Sequence, residues 1–313
     1  MDEAVKRIIS DRFPGEALFD HPMARITSFR VGGPADCLIY VRGIEDLRAA
    51  VDLARAHDLP VTLLGAGTNL LVRDGGIPGL AISFAKGFRS QGIRREGERD
   101  AVLWAEAGVK INSFLSYAQR GGWAGLEFLA GTPGTMGGAA AMNAGVRDRE
   151  MKDVALALTF MTPDGKLKTV ARDALVFRYR GLDLPAGAMI CTMDIAVSRD
   201  DPAEIKERMT ALLSRRKSSQ PLSIPNAGSI FKNPPGDYAA RLIEQSGLKG
   251  IRAGGAAISE LHANFIVNLD GARAEDILQL IDWARAGVQA SAGVDLETEV
   301  RVLGVDAPRE GAA

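Results

Sequence analysis

The sequence predicts a protein of mixed α and β structure in two parts, divided near residue 200. Two observations predict this. Before the division, apolar stretches of strand length alternate with amphipathic helices and glycine-rich turns, beginning as strand, helix, strand. After it, helical periodicity dominates.

The elements of the first part follow from apolar spacing and turn residues. A Pro-Asp-Gly turn makes 154–171 a two-stranded hairpin. A further strand over 189–197 closes this part. The remaining predictions are helices over 3–12, 44–57 and 111–122, and strands over 37–41, 59–67, 80–84 and 102–108.

In the second part, three helices surround one short strand. The helices are predicted over 202–217, 237–247 and 274–291, and the strand over 263–268. The last strand, 296–304, alternates so that Glu297, Glu299 and Arg301 share one face. The tail, 307–313, is expected to fray.

Composition excludes several classes of protein. The chain has 313 residues with 38 basic and 39 acidic side chains, so neither nucleic acid nor an anionic membrane is favoured as a partner. No apolar run is long enough to span a membrane, and no secretory signal is evident. Two distant cysteines fit a reducing cytoplasm without disulfides, and three scattered histidines make a metal site unexpected.

Two glycine-rich loops, 65–76 and 130–145, are the strongest local signals. Their backbone N–H groups, with little side chain nearby, suit a pyrophosphate. A P-loop is excluded because Gly-Lys-Ser/Thr is absent, and a Rossmann loop fits poorly because GAGTNL lacks the third glycine. Tight turns in a glycine-rich fold are the alternative.

Six motifs in order resemble those of UDP-N-acetylenolpyruvoylglucosamine reductases. They are TSFRVGGPA, GAGTNLLVRDGG, GLEFLAGTPGTMGGAAAMNAG, FRYR, PNAGSIFKNP and LETEVR, and the resemblance covers about 20–305. It implies an α+β fold with an FAD-binding domain of the vanillyl-alcohol-oxidase type in two lobes, and a smaller α/β substrate-binding domain. The short interval between FRYR and PNAGS resembles the branch lacking an extra substrate-capping loop.

The resemblance implies the limits of the domains and the cofactor contacts. The FAD domain is expected over 1–200, with lobes of about 1–78 and 79–200, the substrate domain over 201–295, and a returning strand over 296–306. FAD is expected to be non-covalent because neither glycine loop has a histidine. Its expected contacts are Arg30, Gly65, Gly67, Thr68, Asn69, Leu70, Gly131, Thr132, Pro133, Gly134, Thr135, Gly137, Gly138, Asn143, Gly145 and Arg301.

For Arg30 a local salt bridge is the alternative, and for Asn143 a buried structural role.

The resemblance also implies the reaction. NADPH reduces FAD, which then reduces the enolpyruvyl ether of UDP-N-acetylglucosamine-enolpyruvate to a lactyl ether. Arg180 and Glu299 would stabilise the developing charge, and Ser229 would donate the proton, with Lys232 beside it. The alternatives are an ordinary Arg180–Glu299 ion pair, Glu297 in the role of Glu299, and a turn serine at 229.

Substrate contacts are less specific. The candidates are Tyr179, Arg216, Lys217, Lys232, Asn233 and His262, with Asn264 a weaker one. Tyr179 is equally compatible with packing, and Arg216 and Lys217 with a helix C-terminus that favours cations. One departure from the family pattern is Leu182, where the family usually has serine. The conformation of the loop 181–188 is therefore expected to differ from that of the family.

A cytoplasmic monomer that inserts in no membrane and binds no nucleic acid is expected. Two rival functions stay open. One is an oxygen-using flavin oxidase of the same superfamily, against which PNAGSIFKNP argues. The other is a protein that binds nucleotide sugars without turnover.

Overall fold

A computed structural model describes residues 1–146 and 149–308. Its α-helices are α1 Glu3–Arg12, α2 Ile44–Ala56, α3 Ile111–Arg120, α4 Met136–Ala141, α5 Pro202–Ser219, α6 Ala239–Gln245 and α7 Ala274–Ala292, with short 3-10 helices at Met23–Arg25, Glu127–Leu129, Met151–Asp153 and Arg172–Ala174.

The strands are mostly short. They are β1 Ala17–Pro22, β2 Pro34–Tyr40, β3 Val61–Leu64, β4 Leu70–Val72, β5 Ile77–Ser83, β6 Gln91–Glu96, β7 Asp100–Glu106, β8 Trp123–Ala124, β9 Gly145–Val146, β10 Arg149–Glu150, β11 Ala155–Met161, β12 Leu167–Ala171, β13 Val176–Arg178, β14 Gly181–Asp183, β15 Met189–Arg199, β16 Arg252–Ala253, β17 Ala256–Ile258, β18 Ile266–Asn268 and β19 Arg301–Leu303.

The chain divides into two compact units, each assembled from three segments. Unit 1 comprises Met1–Ala17, Ile39–Ala66 and Ile82–Arg216, and unit 2 comprises Leu18–Leu38, Gly67–Ala81 and Lys217–Ala313. The domain limits predicted from the sequence divide the chain differently, and they stay a prediction.

Unit 1 contains a six-stranded sheet in the order β12–β11–β15–β7–β6, with β8 also paired to β15. Inward and outward side chains alternate along β7 and β15, as expected for a sheet with one face packed on a core. The hairpin predicted over 154–171 is confirmed as β11 and β12, with Thr159 opposite Thr169.

Unit 2 has a core between helices and a small sheet. Strands β16, β17 and β18 pair in that order, and α7 packs against them. Helix α7 buries Ile277, Leu280, Ile281, Ala284 and Val288, at positions i, i+3, i+4, i+7 and i+11. This spacing forms one apolar stripe, which faces the core.

The fold class predicted from the sequence is confirmed, and one element is corrected. The predicted strand over 296–304 is a strand only at β19. Before it, Thr298 forms an isolated bridge with Phe231, and the N–H groups of both Glu299 and Val300 point to the Ile230 carbonyl. Two donors on one acceptor interrupt a regular ladder, so period-two alternation does not extend through this segment.

The predicted tail lies outside the described residues from residue 309 onwards. Within the described ranges, no helix is both long and apolar enough to cross a membrane.

Candidate active site

The residues predicted for the site lie in both units. Unit 1 holds the glycine loop 130–145 and the FRYR motif, and unit 2 holds Arg30, PNAGSIFKNP and LETEVR. Each half is built from its own local contacts.

In unit 1, the glycine loop is anchored to the protein through its backbone. The Gly134 carbonyl accepts from the N–H of Ile111 at 3.1 Å, and the N–H of Gly137 donates to the Ala107 carbonyl at 3.0 Å. A Cβ on Gly137 would lie 2.7 Å from the Ala107 Cβ. Glycine at 137 is therefore required by the packing of this loop against Ala107.

The two glycine loops converge on the hydroxyl of Thr135. Its Oγ1 accepts from the N–H of Gly138 at 3.3 Å and caps α4. A Cβ on Gly138 would find its nearest neighbour, this Oγ1, at 3.5 Å, and a Cβ on Gly65 would lie 3.2 Å from the same atom. Gly138 is exposed, so its missing side chain leaves the helix N-terminus open to a ligand.

Beside this loop, Arg216 of α5 lies against Gly131 and Thr132. Its guanidinium donates to the Thr132 hydroxyl at 2.7 Å, and a Cβ on Gly131 would lie 3.3 Å from the Arg216 Cδ. Burial lowers the pKa of Arg216. In unit 1 this cation, predicted for the uridine diphosphate, thus contacts the loop predicted for FAD, while Lys217 beyond it is exposed.

Asn143 is fully buried, and its amide joins three segments. Its Nδ2 donates to the Glu150 carboxylate at 2.9 Å and to the Arg178 carbonyl at 3.0 Å, and its Oδ1 accepts from the N–H of Lys152 at 2.9 Å. These contacts match the structural alternative for Asn143. A cofactor contact of this residue stays a prediction.

The end of the glycine loop is likewise required by packing. A Cβ on Gly145 would lie 2.4 Å from the Arg149 carbonyl oxygen, across the β9–β10 pair. Pro133 is exposed beside the loop.

The FRYR motif forms a tight hairpin. Strands β13 and β14 pair Arg178 with Gly181, so Tyr179 and Arg180 are the two turn residues. Arg180 has φ 57°, in the left-handed region that glycine or asparagine usually occupies. Leu182, where the family usually has serine, pairs with Phe177 and is half-buried.

Within the turn, the Arg180 side chain is mostly buried. It is 18% exposed, and its guanidinium lies 5.0 Å from the centre of the Tyr179 ring. Within unit 1, Glu150 is an acidic neighbour, and its Oε1 lies 3.7 Å from Nη1 of Arg180. A mostly buried guanidinium can bind a carboxylate bidentately.

In unit 2, Arg30 occupies a strained turn. Its φ is 56°, and the Thr27 hydroxyl closes the turn by donating to the Val31 carbonyl at 2.6 Å. Ser28, which follows Thr27, donates its N–H to the Gly67 carbonyl at 3.0 Å. The TSFRVGGPA motif is thereby joined to Gly67, the third residue of GAGTNLLVRDGG.

Glycines 75 and 76 in this second loop are explained by internal packing. A Cβ on Gly76 would lie 1.7 Å from the Pro34 carbonyl oxygen, and one on Gly75 would lie 2.3 Å from that of Asp306. The end of GAGTNLLVRDGG is therefore closed by packing within unit 2.

Asn69 connects this loop to the C-terminal motif. Its Nδ2 donates to the Glu299 carbonyl, and its own carbonyl accepts from the N–H of Arg301, both at 3.1 Å. Leu70 and Arg301 then pair as the first residues of β4 and β19, which run parallel. Thr68 precedes Asn69 in the turn and is half-buried.

The segments that contain Ser229 and Glu299 pair with each other. The N–H of Glu299 donates to the Ile230 carbonyl at 2.7 Å, and the N–H of Lys232 donates to the Glu297 carbonyl at 2.8 Å. The motifs that contain Ser229 and Glu299, 70 residues apart in the sequence, are thus joined through their backbones.

Lys232 and Glu297 form a salt bridge beside this pairing. The Glu297 side chain is 72% exposed, whereas Glu299, which the family motif favours for the catalytic role, is less exposed. Asn233 is exposed, and its Oδ1 accepts from the N–H of Ala239 at the start of α6.

Asn264 holds the Ser229 segment from the other side. Its Oδ1 accepts from the N–H of Phe231 at 2.9 Å, and its Nδ2 donates to the Phe231 carbonyl at 2.8 Å. The Asn264 carbonyl accepts from Ile230. This weak substrate candidate therefore has a clear structural role.

His262 lies next to this asparagine. Its Nδ1 accepts from the N–H of Asn264 at 3.3 Å, and its ring meets Phe265 edge-on at 4.7 Å. Burial is the main cause that lowers the pKa of His262. The positive charge of Lys249 lowers it further, by a smaller amount.

The backbone strain is concentrated among predicted site residues. Within 1–146 and 149–308, six non-glycine residues have a positive φ, and three of them are Arg30, Asn143 and Arg180. Such conformations cost about 1–3 kcal/mol each and cluster at functional sites.

Neither cysteine contributes a thiolate. Burial raises the pKa of Cys37 to about 12 and that of Cys191 to about 11, so both thiols stay protonated at neutral pH.

One polar residue of unit 1 was not among the sequence candidates. Glu150 contacts Asn143 and faces Arg180, yet it lies outside every motif that suggested chemistry. A carboxylate shortly after the glycine loop was the only signal for it, and surface acids are common at such positions.

The open glycine Gly138, at the N-terminus of α4, fits a flavin dinucleotide, whose pyrophosphate needs N–H donors and little side chain. Comparison with protein families agrees. A model described as FAD binding domain matches residues 35–171, and one described as UDP-N-acetylenolpyruvoylglucosamine reductase, C-terminal domain, matches 220–303.

Curated relatives match over nearly the whole chain. A UDP-N-acetylenolpyruvoylglucosamine reductase of Syntrophus aciditrophicus is 42% identical over 97% of both chains. Another, from Anaeromyxobacter sp. strain Fw109-5, is 45% identical over 95% of this chain and 91% of the relative.

Solved structures agree with the fold and the family. The crystal structure of the reductase from Thermus caldophilus has a TM-score of 0.78 and 37% identity, covering 92% of this chain and 98% of that one. A vanillyl-alcohol-oxidase-type flavoprotein of Myceliophthora thermophila, 12% identical with a TM-score of 0.51 over 95% of this chain and 63% of that one, shares the fold. The chain is therefore an FAD-dependent oxidoreductase that belongs to the UDP-N-acetylenolpyruvoylglucosamine reductase family.

Proposed function

We propose that this protein uses NADPH to reduce the enolpyruvyl ether of UDP-N-acetylglucosamine-enolpyruvate to a lactyl ether, giving UDP-N-acetylmuramate for peptidoglycan synthesis. Family membership supports the reaction. The observation that carries the residue assignment is the 2.7 Å hydrogen bond from the Glu299 N–H to the Ile230 carbonyl, which joins the segments of two proposed catalytic residues.

Bound FAD would supply the hydride chemistry between NADPH and the terminal vinyl carbon of the substrate. The protein must then stabilise negative charge next to the substrate carboxylate and protonate the adjacent carbon. One hydride and one proton add across the double bond.

Ser229 donates that proton in our proposal, and solvent returns it to the serine oxygen. A serine hydroxyl is a weak acid, but an enolate is basic enough to take its proton. Lys232 follows closely in the sequence, although its ammonium is paired with Glu297 in unit 2. The proton donor is therefore assigned to Ser229 alone.

Arg180 and Glu299 are assigned to the developing charge. The Arg180 side chain is mostly buried, and a guanidinium can bind a carboxylate bidentately through two parallel N–H donors. Such an interaction strengthens as charge develops in the transition state. Glu299 in its protonated form would donate a hydrogen bond to the same group.

The test separates the two half-reactions by stopped-flow absorbance under anaerobic conditions. NADPH should bleach the visible flavin bands of Ser229→Ala at close to the parent rate, because this step needs no proton donor for an enolate. Return of colour on adding the enolpyruvyl nucleotide sugar should slow by at least about 10²-fold, the contribution of a positioned acid.

Ser223→Ala, an exposed serine earlier in unit 2, is the matched control and should leave both steps unchanged. Equal slowing of both steps in Ser229→Ala would mean that Ser229 holds the fold or the cofactor. A parent protein without NADPH-bleachable flavin would be a binding protein, and one that air reoxidises rapidly without the enolpyruvyl sugar would be an oxidase.

A further inference from the structure

Glu150 is a buried carboxylate to which no step of the proposed reaction assigns a task. It ends β10, and its side chain is 12% exposed. Its Oε1 lies 3.7 Å from NH1 of Arg180. This separation is longer than a hydrogen bond but within ion-pair range, so the carboxylate attracts the guanidinium by charge.

The Glu150 carboxylate is itself held in place. Its Oε2 accepts from the Asn143 amide at 2.9 Å. Its backbone N–H donates to the Asp153 carboxylate at 2.7 Å. A side chain fixed at both ends loses little freedom when it orients a neighbour.

The same amide that holds Glu150 also holds the hairpin that carries Arg180. The second hydrogen of Asn143 Nδ2 bonds the Arg178 carbonyl, two residues before Arg180. The Asn143 amide therefore contacts the hairpin backbone directly, and it also binds the carboxylate that faces the Arg180 guanidinium. Arg180 has a strained φ of 57°. A non-glycine residue keeps this left-handed conformation only where its surroundings hold it, which explains why the hairpin needs these contacts.

We propose that Glu150 is a positioning residue, which orients the Arg180 guanidinium for the carboxylate of the enolpyruvyl group. The inference rests on the proposed role of Arg180. Glu150 does not touch the reacting atoms, and its effect passes through Arg180. Its charge is the essential property, since a glutamine could keep the hydrogen bond to Asn143 through its amide oxygen.

The test is Glu150→Gln in the two half-reactions. NADPH should bleach the flavin of this variant at the parent rate. Reoxidation by the enolpyruvyl nucleotide sugar should slow by about tenfold, since small misplacements of a binding group cost up to about 10²-fold. Glu150→Asp keeps the charge at a shorter reach and should recover part of this loss. If the glutamine variant does not fold, Glu150→Asp alone must still slow reoxidation selectively.

Lys152→Met is the matched control. It removes the ammonium that lies 2.7 Å from Glu150 Oε2, and because the Lys152 side chain is 44% exposed, solvent largely screens this ion pair. Reoxidation in this variant should stay within about twofold of the parent, because the attraction between Glu150 and Arg180 remains.

A double-mutant cycle separates positioning from folding. In an Arg180→Gln background, Glu150→Gln should add less than about twofold, because a residue that acts through Arg180 has nothing left to orient. An undiminished effect in that background, a slowing of both half-reactions, or no effect in the parent would each overturn the inference. If the parent itself is not reoxidised by the enolpyruvyl sugar, the proposed function fails, and this inference fails with it.

Discussion

The Arg180 hairpin and the Ser229 segment hold their proposed catalytic residues in opposite ways. The hairpin places Arg180 at φ 57° and is bonded to the amide of Asn143, itself at φ 43°, while the Glu150 carboxylate lies 3.7 Å from the Arg180 guanidinium. The Ser229 segment is held by neutral backbone hydrogen bonds to the Glu299 segment and by the amide of Asn264. A strained backbone with charged support should respond to different substitutions from those that disturb a relaxed, hydrogen-bonded one.

The largest expected effect distinguishes the two buried asparagines. Asn143→Ala removes three hydrogen bonds and leaves alanine in the left-handed region, so the free energy of unfolding should fall by about 3–5 kcal/mol. Asn143→Gly loses the same bonds without that strain. It should be about 1 kcal/mol more stable than the alanine variant in urea unfolding followed by circular dichroism.

Asn264 is the control for this prediction. Asn264→Ala leaves the N–H and carbonyl of buried Phe231 unsatisfied and should cost about 2–4 kcal/mol. Asn264 does not have a positive φ, so Asn264→Gly should be no more stable than Asn264→Ala. A glycine variant that recovers stability at both sites, or at neither, would remove the contrast between the two regions.

A smaller effect sharpens the contrast inside the glycine loop. Gly137→Ala brings a Cβ within 2.7 Å of the Ala107 Cβ, and overpacking of this kind costs about 1–3 kcal/mol. Gly138→Ala meets no protein atom closer than 3.5 Å and lies within α4, so the apoprotein should gain up to about 1 kcal/mol. It should nevertheless retain less FAD.

Thermal unfolding of the apoproteins and the ratio of flavin to protein absorbance measure both quantities. Each glycine variant is the control for its neighbour. Full FAD content in Gly138→Ala together with its extra stability would show that this exposed glycine does not line the cofactor.

The smallest expected effect is the pH dependence from His262. Burial lowers the pKa of His262 in the folded protein, so the unfolded chain binds the proton more readily. The stability contribution of the neutral ring is complete above the unfolded pKa of about 6.5 and falls as pH decreases from there towards the folded pKa.

His262→Gln cannot titrate and should lose less stability than the parent over that pH interval, as measured by urea unfolding at a series of pH values. Glu244 and Lys249 act on the same ring with opposite signs, and the variant leaves both in place. Parallel pH curves for the two proteins would show that His262 titrates equally in the folded and unfolded states.

Local patterns were sufficient for the elements that bury one continuous stripe or face. The helix over 3–12 is confirmed with its predicted bounds, and α7 differs from its prediction by one residue. The prediction of a strand over 296–300 was wrong. Two successive N–H groups of this segment bond to the single carbonyl of Ile230, about 70 residues earlier, and alternation of residue types does not reveal such a partner. The domain limits and the site contacts stay predictions.

The sequence by itself determined the family, the α+β class and the motifs in which Arg180, Ser229 and Glu299 stand, because these depend on residue type, order and spacing. Only the tertiary structure decided that Gly137 is needed for packing while Gly138 is open, that Lys232 pairs with Glu297, and that Glu150 faces Arg180. The physical reason is that these features depend on atoms distant in sequence, brought within a few ångströms by the fold. A glycine or a glutamate has the same letter whether its neighbour is solvent, a carbonyl or a guanidinium.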